Sequence, residues 1–158
     1  MALNVDYYFA PNSPWTYLGH QRFAEIAKAA GATIKVLPVD LGGKVFPVSG
    51  GLPLSKRAPQ RQAYRLTELK RFSDFLGQPI VLQPKYFPVN ADDAAKLIIA
   101  VDMHDGSDAA MRIAGRILRG VWVEERNIAD VRELAKMHEE EGLPARRRDE
   151  SMSQAVHV

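Results

Sequence analysis

The residue types best placed to do chemistry stand close together near the N-terminus, at Ser13-Pro14-Trp15. Residues 5–10 are short and aromatic-rich and read as a strand, which Pro11-Asn12 breaks. Ser13 then stands where a helix should begin. Pro14 at the first helical position loses nothing by lacking an N–H. A side chain between the end of a parallel strand and the start of a helix lies where α/β folds hold ligands. Backbone N–H groups point outward there, and the helix dipole favours an anion. Ser13 therefore has two readings: an N-cap and no more, or a hydroxyl that joins those N–H groups in stabilising a bound thiolate. Trp15, two positions on, is a candidate wall for an aromatic-substrate pocket.

Other groups are weaker candidates. Asp40-Leu41-Gly42-Gly43-Lys44 invites a phosphate-loop reading, but Pro38 and Val45 occupy the places that need Gly and Ser or Thr. A flexible turn that exposes Lys44 remains. Lys56, Arg57 and Arg61 form a basic cluster, either a solvated face or an electropositive rim for a carboxylate. His20, His104, His138 and His157 lack metal-ligand spacing, so no metal site is expected. Tyr17, Tyr64 and Tyr86 read as core residues. Glu124-Glu125 and Glu139-Glu140-Glu141 read as exposed helix faces, with no pair spaced for acid–base work. The sequence contains no cysteine, which removes disulfides, thiolate metal sites, a cysteine nucleophile and dithiol oxidoreductase chemistry.

The elements that must position these side chains can be read from pattern. Leu18, Phe23, Ile26 and Ala30 continue the first helix and Gly31 stops it; residues 33–39 form a second strand. Strand, helix, strand is a βαβ unit with parallel strands. Residues 40–58, rich in Gly, Pro and Ser, read as a long functional loop. A helix follows over 59–76, with Tyr64, Leu66, Leu69, Phe72 and Phe75 as its apolar residues and Gly77 as its stop. After a proline-studded link over 78–89, Asn90 caps a helix carrying Asp92 and Asp93 in its first turn. Ser107 caps another, with Ile113, Ile117, Leu118 and Val121 on one face, and Asp130 starts a last one that runs to Gly142.

Composition fits this reading. The 158 residues suit one domain, or one domain with an insertion. A charge of +2 argues against nucleic acid or an anionic membrane as partner. The N-terminus lacks a basic region followed by an apolar stretch, and no apolar run approaches the roughly 18–20 residues of a membrane span. A cytoplasmic protein is expected.

At Tyr8-Phe9 and Ser13-Pro14-Trp15-Thr16-Tyr17-Leu18 the sequence resembles 2-hydroxychromene-2-carboxylate isomerases and kappa-class glutathione transferases. The resemblance continues through Leu41-Gly42-Gly43, Gly50-Gly51-Leu52-Pro53, the helix around Tyr64 and Leu69, Phe87-Pro88-Val89-Asn90, and the stretch from Val121-Trp122 to Asn127-Ile128. It implies an α/β thioredoxin-like fold interrupted by an all-helical domain: residues 1–58 as the first part of the thioredoxin-like domain and 59–158 as the helical one. It implies glutathione as cofactor, with Ser13 facing its sulfur and lowering the thiol pKa. Ser55, Lys56 and Tyr86 fall near substrate-contacting positions, and the lysines, Lys44 among them, would hold a pyruvate-type carboxylate. Gly50-Gly51 stands where many relatives have Gly-Asn, so a ligand-contacting amide is absent.

The implied activity is isomerisation of 2-hydroxychromene-2-carboxylate, or a similar aromatic acid, by reversible thiolate addition in a homodimer. Relatives continue into a cis-proline segment, two more strands and a last helix. The resemblance thus implies that the C-terminal part of the thioredoxin sheet is missing and that this chain is truncated. The alternatives are a kappa-like transferase and a catalytically silent thioredoxin-like binding protein.

Overall fold

Two short strands, β1 (Leu3–Phe9) and β2 (Ala32–Pro38), pair in parallel, with Leu3 opposite Ala32 and Phe9 opposite Pro38. They open a computed structural model that describes residues 3–146. A parallel pair needs a crossover, and α1 (Pro14–Ala29) supplies it. On β1 the period of two sends Tyr7 and Phe9 toward the helices, where their rings stack 4.7 Å apart and Tyr7 meets Phe23 at 4.6 Å. Tyr8 between them faces outward, 64% exposed. On α1 the buried face is Tyr17, Leu18, His20 and Ala27; Ile26, expected inside, points to solvent.

Residues 40–58 are more ordered than a loop reading allows. A wide helical turn over Leu41–Val45 leads into α2 (Phe46–Ser49), and a 3₁₀ turn covers Leu54–Lys56. Asp40 organises the first turn by accepting the Gly43 N–H at 2.7 Å. A Cβ at Gly43 would stand 2.3 Å from the Asp40 carboxylate, so this cap requires glycine there.

Four helices follow. α3 (Pro59–Leu76) ends at Gly77, whose φ of 62° is the left-handed conformation of a helix C-cap. α4 (Asp92–Asp105) has Ala91, not Asn90, as its N-cap; the Asn90 side chain, one position earlier, accepts the Asp92 N–H at 2.7 Å. It is buried on most sides through Ala94, Ala95, Leu97, Ile98, Ala100 and Val101, as befits the central helix of a bundle. α5 (Ser107–Trp122) buries Ile113, Ile117, Leu118 and Val121. Its N-cap is Gly106, not Ser107, because the direct α4–α5 reversal needs the φ of 85° that Gly106 adopts. α6 (Val131–Glu140) is capped by Asp130, which accepts the Arg132 N–H at 2.8 Å.

One hydrophobic cluster runs through all of this. It joins Phe9 and Val36 of the sheet and Leu18 of α1 to Ile98, Ile113, Ile117 and Met137 of the helices. The link over 78–89 is held against it. The Tyr17 hydroxyl donates to the Pro79 carbonyl at 2.6 Å, and the Val81 N–H donates to the Trp122 carbonyl at 2.7 Å. His20 ties β1, α1 and α5 together. Its Nε2–H donates to the Met111 carbonyl at 2.8 Å, since a carbonyl can only accept, so Nδ1 accepts from the Tyr7 hydroxyl at 3.1 Å. Burial holds His20 below its ordinary pKa and pushes Tyr7 up to about 12, so both stay neutral. No helix among the described residues is long and apolar enough to cross a membrane.

Glu124, Glu125, Glu139 and Glu140 are exposed as expected, and Glu124 and Glu140 also join an ion-pair network. Arg116 donates to Glu140 at 2.6 Å and to Glu124 at 2.9 Å; Arg126 donates to Glu133 at 2.8 Å and Glu140 at 2.9 Å. Glu133 lies below its ordinary pKa through hydrogen bonds from Lys136 and then Arg126. Glu140 lies below it despite desolvation, through hydrogen bonds from Arg116 and Arg126. A carboxyl depressed on folding stabilises the fold above its unfolded pKa of about 4.3 and loses that contribution as pH falls through its folded pKa. Melting curves should therefore show Tm falling below about pH 4.3, and falling less steeply in Arg126→Gln. Parallel pH profiles for the two proteins would remove the network from the account of acid stability.

Candidate functional site

The geometry at Ser13 follows from its neighbours. The Ser13 N–H donates back to the Ala10 carbonyl at 3.0 Å, closing the turn that Pro11 and Asn12 make after β1. Asn12 anchors this turn by donating its amide N–H to the Val89 carbonyl at 2.8 Å. Ser13 has the extended backbone of an N-cap, φ −81° and ψ 129°, and its Oγ accepts the Thr16 N–H at 3.3 Å. Among the described residues the Ser13 hydroxyl proton and the Trp15 N–H make no hydrogen bond. Pro14 contributes no N–H. The start of α1 thus presents one hydroxyl donor and one backbone donor at the positive end of a 16-residue helix. That donor set suits an anion such as a thiolate.

Two cavities flank Ser13 in sequence. The first, about 250 Å³, lies past the C-terminal ends of both strands and is lined by Asn12, Val39, Asp40, Gly42, Asn90 and Asp92 among others. The second, about 280 Å³, is lined by Trp15 together with Arg57, Arg61, Tyr64, Arg65 and Phe72, with Glu68 as its one carboxylate. Trp15 meets Phe72 edge to face, with centroids 5.8 Å apart and planes at 88°. Arg65 is half-buried, its guanidinium 5.3 Å from the Phe87 ring and 5.8 Å from Trp122. Burial, and then the charge of Arg57, lowers its pKa. Arg57 donates to the Leu52 carbonyl at 2.9 Å.

The site residues expected from sequence are therefore distributed unevenly. Ser13 is half-buried and lines none of the three cavities itself; Asn12 and Trp15 on either side do. Trp15 joins the basic residues Arg57 and Arg61. Lys44 is exposed on the wide turn, and Ser55 and Lys56 are exposed on the 3₁₀ turn. Tyr86, 37% exposed, carries the Lys85 ammonium over its ring at 5.1 Å. None of these four lines either of these cavities. Tyr64 and Phe72, expected in the core, are 48% and 46% exposed and line the second cavity instead. Arg65 and Glu68 were not legible as site residues. The signal was present: 61, 64, 65, 68 and 72 share one helical stripe, and that stripe is too polar to be a core face.

A larger cavity, about 870 Å³, lies between α1 and α5. Its His20 is committed to Tyr7 and Met111, and its Arg116 and Arg119 are paired with glutamates. Among the described residues no group of three His, Cys, Asp or Glu side chains could hold a metal ion.

Comparison with known proteins agrees with this architecture. A curated 2-hydroxychromene-2-carboxylate isomerase of Pseudomonas putida is 29% identical over 82 residues, and the match spans 52% of this chain and 40% of that protein's length. The structure of a 2-hydroxychromene-2-carboxylate isomerase superposes with a TM-score of 0.76 at 23% identity, over 98% of this chain and 73% of the other. The cytosolic disulfide reductase DsbM of Pseudomonas aeruginosa, in its structure with GSH, gives 0.68 at 22% identity, over 98% of this chain and 74% of its own. These likenesses carry the thioredoxin-like α/β fold. The model of the DSBA-like thioredoxin domain matches residues 4–157, and the chain belongs to that family.

Proposed function

We propose that the protein is a glutathione-dependent isomerase of an aromatic, pyruvate-type acid such as 2-hydroxychromene-2-carboxylate. The observation that carries this reading is Ser13 at the N-cap of α1, with its hydroxyl proton and the Trp15 N–H unengaged among the described residues, in a sequence without cysteine. Such a donor stabilises a thiolate brought by another molecule.

Glutathione, when bound, supplies a thiol nucleophile able to add reversibly to a conjugated double bond. The chain's own part is threefold. Ser13 donates to the sulfur and, with the Trp15 N–H and the α1 dipole, favours its deprotonated form. Asn12 holds the turn through Val89, which keeps the Ser13 hydroxyl at the strand end. Trp15 offers an aromatic wall to the organic acid. The likeness to the Pseudomonas putida isomerase supports this reaction, and the GSH-containing relative supports the cofactor.

Product analysis tests the proposal. The protein is incubated with 2-hydroxychromene-2-carboxylate and a small amount of glutathione. Isomerisation of many equivalents of acid with the glutathione recovered is the expected result. Glutathione consumed in step with the acid makes the protein a transferase, and no conversion together with no glutathione binding makes it a silent binding protein.

A further inference from the structure

We propose that Arg57, Arg61 and Arg65, with the walls Trp15, Tyr64 and Phe72, form a subsite for a flat aromatic anion, and that these arginines rather than Lys44 or Lys56 select for its carboxylate. The proposal rests on the isomerase reading above only for the identity of the natural acid.

Charge is the first argument. Around this cavity three guanidiniums face one carboxylate, Glu68, and none of the three is ion-paired among the described residues. Elsewhere in the fold the arginines of α5 and its turn are matched: Arg116 to Glu124 and Glu140, Arg119 to Glu124, Arg126 to Glu133. Three arginines without an ion pair among the described residues thus meet at this cavity, while Arg22, Arg71 and Arg132 stand unpaired elsewhere. Arg65 is also partly withdrawn from water, packed against the Phe87 and Trp122 rings with a like charge from Arg57 nearby. A desolvated cation without a counter-charge is unfavourable, and an arriving anion relieves it. The first turn of α3 has no acidic residue, so its dipole adds to the positive field.

Shape is the second argument. Trp15 and Phe72 stand at 88° to one another, 40% and 46% exposed, so two aromatic surfaces lie open beside the cations. Tyr64 adds a third, 48% exposed. A volume of about 280 Å³ suits one or two fused rings. The planar guanidinium fork matches a carboxylate with two parallel hydrogen bonds, which an ammonium does not. Lys44 and Lys56, expected to take this role, are exposed and do not line this cavity.

Calorimetric titration of the whole chain, with no glutathione present, tests the subsite. The probes are 2-naphthoate, the neutral 2-naphthamide and inorganic phosphate. Naphthoate should bind about tenfold or more tightly than naphthamide, the worth of one charge-assisted hydrogen bond. Arg61→Gln should remove most of that difference, and Arg61→Lys should restore only part of it. Arg61 is exposed, so the melting temperature should not move. Trp15→Ala should weaken acid and amide alike. Equal affinity for acid and amide, an unaffected Arg61→Gln, or phosphate binding as tightly as naphthoate would each overturn the proposal. Because glutathione is absent from this titration, a naphthoate site in a protein that converts no acid in the separate product analysis refutes the isomerase reading and leaves the subsite standing.

Discussion

Ser13→Ala is expected to raise the pKa of the protein-bound glutathione thiol by about one to two units. The figure follows from the hydrogen bond that is lost. A donor to an ionised acceptor contributes about 1.5–3 kcal/mol, and one pKa unit corresponds to about 1.36 kcal/mol. The same loss slows a step that depends on the thiolate by about 10- to 100-fold. Stability should change much less. The Ser13 Oγ accepts the Thr16 N–H at 3.3 Å, a long bond, and removing an N-cap costs about 1 kcal/mol. Thiolate absorbance against pH reads the first effect and urea unfolding the second. Ser13→Thr keeps a hydroxyl and should keep a lowered pKa. If the thiol titrates identically in wild type and Ser13→Ala while stability drops by about 1 kcal/mol, Ser13 is a helix cap and no more.

Trp122→Ala is expected to be the most damaging single substitution for stability, at about 3–5 kcal/mol. Trp122 is completely buried at the end of α5. Its ring packs on Phe87 with centroids 4.7 Å apart and underlies the Arg65 guanidinium, and its carbonyl accepts the Val81 N–H. Truncation leaves a cavity beneath the link and loosens Arg65 together with it. Trp122→Phe should cost less than half as much. The indole N–H has no hydrogen-bond partner among the described residues, so losing it forfeits nothing polar and removes a buried, unsatisfied donor. Urea midpoints of the two variants test the comparison. A Trp122→Ala midpoint within about 1 kcal/mol of wild type, or a Phe variant as unstable as the alanine one, would mean that the link and α5 do not share this core.

Punctuation was what could be read directly along the chain. Ser13-Pro14, Gly77, Asn90 and Asp130 act through their own backbone or the next few residues, so their effect does not wait for the rest of the fold. The same locality explains α5, where Ile113, Ile117, Leu118 and Val121 lie on one strongly amphipathic face. Gly106 and Ser107 show where locality runs out. A serine before an apolar run resembles a cap, but the approach of α4 dictates a reversal that only the glycine conformation satisfies.

Side-chain surroundings could not be read in this way, because they depend on which elements meet. The sequence by itself determined the βαβ start, the placing of Ser13 between strand and helix, the absence of any cysteine nucleophile, and the run of helices after residue 58. Those are matters of period, capping and composition. Tertiary structure decided that Tyr64 and Phe72 leave the core and meet Trp15, and that Arg65 joins Arg57 and Arg61 around one cavity. It also decided which arginines the exposed Glu124 and Glu140 and the partly buried Glu133 pair with. An aromatic residue at helical spacing is compatible with either a core or a ligand wall. What separates the two is how closely α3 approaches α1, and that distance is set by packing between segments about fifty residues apart, beyond the reach of any local pattern.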